Sequence, residues 1–211
     1  MLSDYLTVRE TGEHEIIIDK SRFIAHIARA TTEEEAIQFI QSIKKKHNSA
    51  THNCSAYLLG ETDNIQKAND DGEPSGTAGI PMLEVLKKRE LKDTVAVVTR
   101  YFGGIKLGAG GLIRAYGKSV SEGLNHIGVV QRQLHQIIHI TVDYTLLGKM
   151  ENELRNSVYL IKEMNYLEKV EIQMYVPIKE ADSFKDWITD LTNAQSEIVS
   201  SNQKYLEYDV N

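Results

Sequence analysis

Long apolar runs are missing from this 211-residue chain: none approaches the roughly 18 residues that a membrane span needs. The opening stretch MLSDYLTVRETGEHE lacks the basic and then apolar layout of a signal peptide. Cysteine is nearly absent, and the single Cys54 cannot form an internal disulfide, which points to a reducing compartment. The expectation is a cytoplasmic protein with no membrane partner. Positive charge is not in excess either, since 24 Lys and Arg face 30 Asp and Glu for a net charge of −6. That balance argues against a protein that coats nucleic acid by bulk attraction. No linker rich in Gly, Pro or Ser divides the sequence.

With 41% hydrophobic and 26% charged residues, the chain can bury a real core as one large or two small domains. Its charge is uneven. From Lys87 to Lys118 there are eight basic residues (Lys87, Lys88, Arg89, Lys92, Arg100, Lys106, Arg114, Lys118) against two acidic ones, a local +6, whereas residues 131–211 carry eight basic and thirteen acidic, a local −5. An acidic region beside a basic one suggests a docking surface.

EIIID and SRFIAHIA read as strands, and TTEEEAIQFIQSIKKKH as a helix capped by Thr31 or Thr32, with Glu33 to Glu35 at its positive end and Lys44 to Lys46 at its negative end. CSAYLLG reads as a strand, IPMLEVLKKREL as a helix with Ile80, Leu83 and Leu86 on one side, and TVAVVTRYF as a buried strand. After the glycine run FGGIKLGAGG, LIRAYGKSVSEGLNHIG predicts a helix that stops at Gly128. Beyond about Val130 the order becomes β-α-β-β-α-β, that of a ferredoxin-like unit. The reading is α+β, with domains at 1–130 and 131–211.

Two segments carry candidate chemistry. FGGIKLGAGGLIRA follows a buried strand and precedes a helix, where anions are often received. It is not a P-loop, because Ala109 and Gly110 follow Gly108 where Lys and Ser or Thr belong. It is not a dinucleotide fingerprint, because Ile113 stands where the third glycine belongs. There remain a glycine-rich backbone (Gly103, Gly104, Gly108, Gly110, Gly111), Lys106 within it, and Arg114 and Lys118 one helical turn apart. With Arg100, Tyr101 and Phe102 these offer cations beside rings, the combination that grips phosphates and stacks on unpaired bases. Nucleic-acid contact, plain turn and packing, and a small phosphate ligand all stay open.

DDGEPSGTAGIP, from Asp70 to Pro81, sets Asp70, Asp71 and Glu73 among hydroxyls and glycines. The acids could ligate Mg²⁺, but the spacing is not that of an EF-hand: Gly72 falls too early and the twelfth position is Pro81. Asp71-Gly72 and Pro74 are also turn signals, and Ser75 or Thr77 can cap the coming helix. The histidines offer no metal pair: His135 and His139 sit about 13 Å apart if they lie on a strand. His52 could act as a base, without an identifiable nucleophile. Cys54 reads as a buried small hydrophobe.

KSRFIA (Lys20 to Ala25), DDGEPSGTAGIP and above all VVTRYFGGIKLGAGGLIRAY (Val97 to Tyr116) resemble the IMPACT family in its bacterial, two-domain form. The spacing from Gly79 through Leu83, Leu86 and Leu91 to Val98, Arg100, Gly103, Gly104 and Gly108 is similar to that family's signature. The resemblance implies an amino-terminal domain like ribosomal protein S5 domain 2 and a ferredoxin-like second domain similar to domain V of elongation factor G. It also implies a translation-linked role, since eukaryotic relatives regulate translation by competing for the activator of a stress kinase. Their extra amino-terminal RWD domain has no counterpart in this sequence, so that partner is not carried over.

The expected function is therefore a non-enzymatic factor without cofactor or metal that contacts RNA, the ribosome or a translation factor through Arg100 to Lys118. Two alternatives stand beside it. One is a Mg²⁺-dependent enzyme or binder of a small phosphorylated ligand, the other a protein-interaction module. The resemblance also makes Asp70, Asp71, Glu73, Ser75, Thr77 and His52 a wall of a cleft shared with the glycine-rich loop.

Overall fold

The computed structural model describes residues 1–210, and their elements run β1 (Asp4–Val8), β2 (Gly12–Ile18), β3 (Ser21–Arg29), α1 (Glu33–Lys46), β4 (His52–Leu59), β5 (Ile65–Asn69), α2 (Gly79–Lys88), β6 (Thr94–Tyr101) and α3 (Gly108–Ile127). They continue with β7 (Val129–Val142), α4 (Tyr144–Arg155), β8 (Leu160–Tyr166), β9 (Val170–Pro177), α5 (Ala181–Leu191) and β10 (Glu197–Asp209). The chain divides into two units, one of Tyr5–Gln131 with Met1 and the residues from Tyr208, the other of Leu2–Asp4 with Arg132–Glu207. β7 pairs with β1, β9 and β10.

In the first unit the antiparallel sheet β2-β3-β6-β4-β5 is buried on both faces along its central strands β3, β6 and β4. Side chains alternate along a strand, so each central strand supplies two cores. Phe23, Ala25, Ile27, Cys54, Ala56, Leu58, Ala96 and Val98 pack against α2 and α3, while Ala28, Tyr57, Leu59 and Val95 pack with α1. Thr32 caps α1 in a capping box with Glu35.

Helix α2 departs from the sequence reading. Its buried stripe is Gly79, Met82, Leu83 and Leu86, spaced i, i+3, i+4, i+7, which leaves Ile80 one position off the stripe and 54% exposed. Helix α3 also starts earlier than expected, at Gly108, so the end of the glycine run is its first turn.

The second unit has the strand order β10-β7-β9-β8 with α4 and α5 against it, the ferredoxin-like arrangement expected. Ile138 and Ile140 of β7, Ile172 and Met174 of β9, Met150 and Leu154 of α4, and Phe184 and Ile188 of α5 form its core. Among the described residues no helix is long and apolar enough to cross a membrane.

His26 lies opposite Glu13 in the β2–β3 register, is 2% exposed, and has no partner for Nε2. Its Nδ1 is 3.1 Å from a Glu13 carboxylate oxygen and its ring is 4.9 Å from that of His47. Burial, reinforced by His47 and opposed by Glu13, lowers its pKa from 6.5 to about 4. The unfolded chain therefore takes up this proton first as pH falls. The contribution is complete above about pH 6.5 and is lost progressively down to about pH 4. Urea unfolding at pH 7 and pH 5 is expected to show that His26→Phe loses about 2 kcal/mol less stability on acidification than the parent chain; equal losses would refute this account.

Candidate functional site

Pairing across three strands places Phe23 (β3), Arg100 (β6) and His52 (β4) in one row. Phe23 and the alternation along β6 put this row on the face covered by α2 and α3. Arg100 is only 5% exposed, so it cannot be the surface cation the sequence reading expected; its charge is met by a carboxylate within the fold. Nη1 donates to Glu73 Oε1 at 2.6 Å, and the Tyr116 hydroxyl of α3 donates to the same oxygen at 2.8 Å. Glu73 is itself 8% exposed. The Arg100 guanidinium carbon lies 5.3 Å from the Phe23 ring centroid and 5.5 Å from that of Phe102. No partner meets its Nε. Burial pushes the Tyr116 hydroxyl pKa far up, so it stays a donor.

The three acids of DDGEPSGTAGIP bind three different parts of the fold. Asp70 caps α2: its Oδ2 accepts from Gly76 N at 2.8 Å, and its Oδ1 from Ala78 N at 3.1 Å and Gly79 N at 2.8 Å. Burial works to raise the Asp70 carboxyl, but these amides outweigh it and hold the pKa below the ordinary value. Ser75 and Thr77 do not cap α2, because Asp70 occupies the amides they would have met. The Thr77 hydroxyl turns back to Pro74 O at 2.7 Å, and Ser75 is exposed.

Asp71 accepts from Lys44 Nζ of α1 at 2.5 Å and from Asn53 N at 2.7 Å. His52 Nδ1 donates to Asp71 O at 2.8 Å, which leaves its Nε2 3.8 Å from Glu73 Oε2. Among the described residues no group of three or more His, Cys, Asp or Glu is placed to hold a metal. Cys54 donates to Asp70 O at 3.0 Å, and burial pushes its thiol up to about 12, so it acts as packing. His135 bonds to Gln133 O while His139 bonds to Glu171 and Ser201, so the two histidines have separate partners.

The loop after β6 is held against the β2–β3 turn. Gly103 N donates to Ser21 Oγ at 3.1 Å, and a Cβ on Gly103 would come within 2.1 Å of the Lys20 carbonyl, so only glycine fits. Phe102 N donates to Thr51 Oγ1 at 3.0 Å, and the Tyr101 hydroxyl bonds to His47. Gly104 and Gly108 take φ of +88° and +67°, turning the chain into α3. No side chain caps the first amides of α3, and its first turn carries no acid.

The eight basic residues do not converge on one face. Lys87, Lys92, Arg100 and Lys118 are ion-paired to Glu84, Asp63, Glu73 and Glu122. Arg89 bonds to Ser121 and Asn125, late in α3, which at 1.5 Å per residue is about 25 Å from Lys106. Lys106 and Arg114 are exposed and have no ion pair among the described residues.

Two cavities meet at Leu107. One, of 290 Å³, is lined by Glu73, Pro74, Arg100, Phe102, Lys106 and the first turn of α3, including Gly108. The other, of 330 Å³, is lined by Asp19, Gly111, Arg114 and Lys118. Gly110 lies under the Arg114 guanidinium, 3.6 Å from where a Cβ would stand. Glu73 therefore joins the glycine-rich loop at one cavity, while Arg114 and Lys118 line its neighbour. Sequence reasoning gave Tyr116 and Ser21 no role of their own, although both lie in segments that carry the resemblance, because their partners lie 43 and 82 residues away.

Residues 19–124 match the family model described as Impact N-terminal domain, and residues 140–195 match the domain of unknown function DUF1949. The chain is 68% identical over 211 residues to IMPACT family member YvyE of Bacillus subtilis (strain 168), covering 100% of this chain and 97% of that protein. The chain belongs to the IMPACT family. It is also 39% identical over 154 residues to IMPACT family member YigZ of Escherichia coli (strain K12), covering 67% of this chain and 74% of that one. A crystal structure described as a hypothetical protein is similar over 96% of this chain and 99% of its own, with 29% identity and a TM-score of 0.61.

In this family member Glu73→Ala leaves the Arg100 guanidinium buried without its carboxylate, and is expected to cost roughly 3–5 kcal/mol in urea unfolding. Adding Arg100→Leu should recover part of that loss. A double variant whose loss equals the sum of the single losses would show that the two residues are not coupled.

Proposed function

We propose that this IMPACT family member is a non-enzymatic, translation-associated protein of the cytoplasm whose first unit contacts RNA, as free strand or within the ribosome. The observation that carries this reading is the grouping around the start of α3. Lys106 and Arg114 are exposed and unpaired there, and Phe102 and Ile105 are 45% and 43% exposed beside them. Lys118 is exposed one turn beyond Arg114, and Lys20 is exposed on the turn against which Gly103 packs. Cations that fold-internal carboxylates leave free are available to phosphates, and an exposed ring among them gives a stacking platform. Family membership supports the translation link through the role that the resemblance implies for eukaryotic relatives.

In this reading Arg100 and Glu73 lie buried behind the outer surface and Asp70 is a helix cap, while the outer contact surface is Phe102, Lys106, Arg114, Lys118 and Lys20. Arg114→Glu combined with Lys118→Glu is expected to lower ribosome co-sedimentation and RNA affinity at least about tenfold at low salt. It should also flatten the plot of log K against log salt by about 1.4, from two lost phosphate contacts. Both side chains are exposed, so circular dichroism should be unchanged. Unaltered affinity and slope would overturn the proposal.

A further inference from the structure

The cavity shared by Glu73, Arg100, Phe102 and the first turn of α3 carries unmet hydrogen-bonding capacity of two kinds. On its donor side, Arg100 is 5% exposed, yet its Nε finds no partner. A buried donor without an acceptor costs about 1–3 kcal/mol, and a charged one more. The first amides of α3 are uncapped, no acid precedes them, and exposed Lys106 stands beside them. A helix start of this kind holds about half a positive charge and receives phosphate readily.

On its acceptor side, Glu73 Oε1 is taken by Arg100 and Tyr116, but Oε2 is not. Its neighbour is His52 Nε2 at 3.8 Å, and the His52 proton is held on Nδ1 by the Asp71 carbonyl. At that distance His52 gives Oε2 no hydrogen bond, and the carboxylate oxygen is left for a hydroxyl or amine of a ligand. The rest of the lining is apolar: Pro74, Phe102, Leu107 and Leu112. Inorganic phosphate would satisfy the donors and leave the acceptor and the apolar wall without a partner.

We propose that this 290 Å³ cavity is a subsite for a nucleoside monophosphate group, with the phosphate at the α3 amides, Lys106 and Arg100, a sugar hydroxyl or base amine on Glu73, and the flat base against Phe102. The choice of a nucleotide over other phosphate esters rests on the RNA-contact reading. The group is either a free mononucleotide or the phosphorylated end of an RNA strand, which share this chemistry.

Calorimetric titration of the full chain with AMP, adenosine and inorganic phosphate tests it. AMP should bind more tightly than either fragment. Ala109→Asp places a carboxylate on an exposed first-turn position, where it favours the helix and repels an anion. It should weaken AMP at least about tenfold with the unfolding midpoint kept or raised. Phe102→Ala should bring AMP down towards the affinity of phosphate alone. No heat at millimolar AMP overturns the proposal, as does binding that Ala109→Asp leaves intact. A short RNA with a terminal phosphate that displaces AMP, where the same RNA without it does not, identifies a strand end as the source. AMP binding without such displacement identifies the free nucleotide. The RNA-contact reading stands or falls separately, on co-sedimentation of the Arg114 and Lys118 variant.

Discussion

The first unit depends on the buried contact between Glu73 and Arg100. It joins the Asp70–Pro81 loop, strand β6 and helix α3 through polar side chains, because Glu73 Oε1 takes donors from both Arg100 and Tyr116. Two such bonds to one carboxylate oxygen fix the depth of the loop over the sheet. Two rings near the guanidinium, Phe23 and Phe102, suit arginine better than lysine, since its flat face can lie against a ring while its edge bonds. Asp70 and Asp71 then anchor the same loop to α2, β4 and α1. Three acids that crowd together in sequence are thus separated in space by what each one binds.

Charge along the chain is consequently a poor map of charge on the surface. The +6 window from Lys87 to Lys118 loses four cations to carboxylates, all of them from outside the window, and α3 holds Arg89 far from Lys106. What is left near the start of α3 is a small group, Lys106 and Arg114 with Lys20 beside them, flanked by Lys118, which is exposed though paired to Glu122. A net charge of −6 and a local basic surface coexist because the positive group is defined by the absence of partners, which no count of residues records.

Much of the architecture was legible because burial repeats with the period of each element. The alternation in β3, β4 and β6, the capped α1 and the β-α-β-β-α-β order all follow from local pattern. Edge strands were harder. β5 is exposed or half-buried along its length and carries no apolar alternation, and β1 is defined by its pairing with the distant β7. The site residues were found by type and misread by environment. Arg100 looked like a surface cation because its neutralising partner lies 27 residues earlier, and Ser75 and Thr77 looked like caps because the actual cap, Asp70, stands eight residues before Ala78, the N-cap position. Local rules describe the first turn of a helix, but not a carboxylate brought back to it by a loop.

An apolar pair of similar volume would hold the loop at least as firmly as Glu73 and Arg100, since removing two charges from water offsets most of what their attraction returns. Stability therefore does not account for the choice. What the ion pair provides is a fixed orientation of groups whose bonding is incomplete: a guanidinium with a free Nε and a carboxylate with a free oxygen, both at the wall of a cavity that ends at uncapped helix amides. The same neutralisation keeps the cavity from being strongly basic, so the proposed phosphate would be held there by directed donors and by its apolar remainder. Around it, on the flanks of α3, cations act at a distance and without direction. The two arrangements meet at Leu107, whose side chain lines both cavities, so a strand that follows the outer cations has its bases or its end within reach of the inner donors.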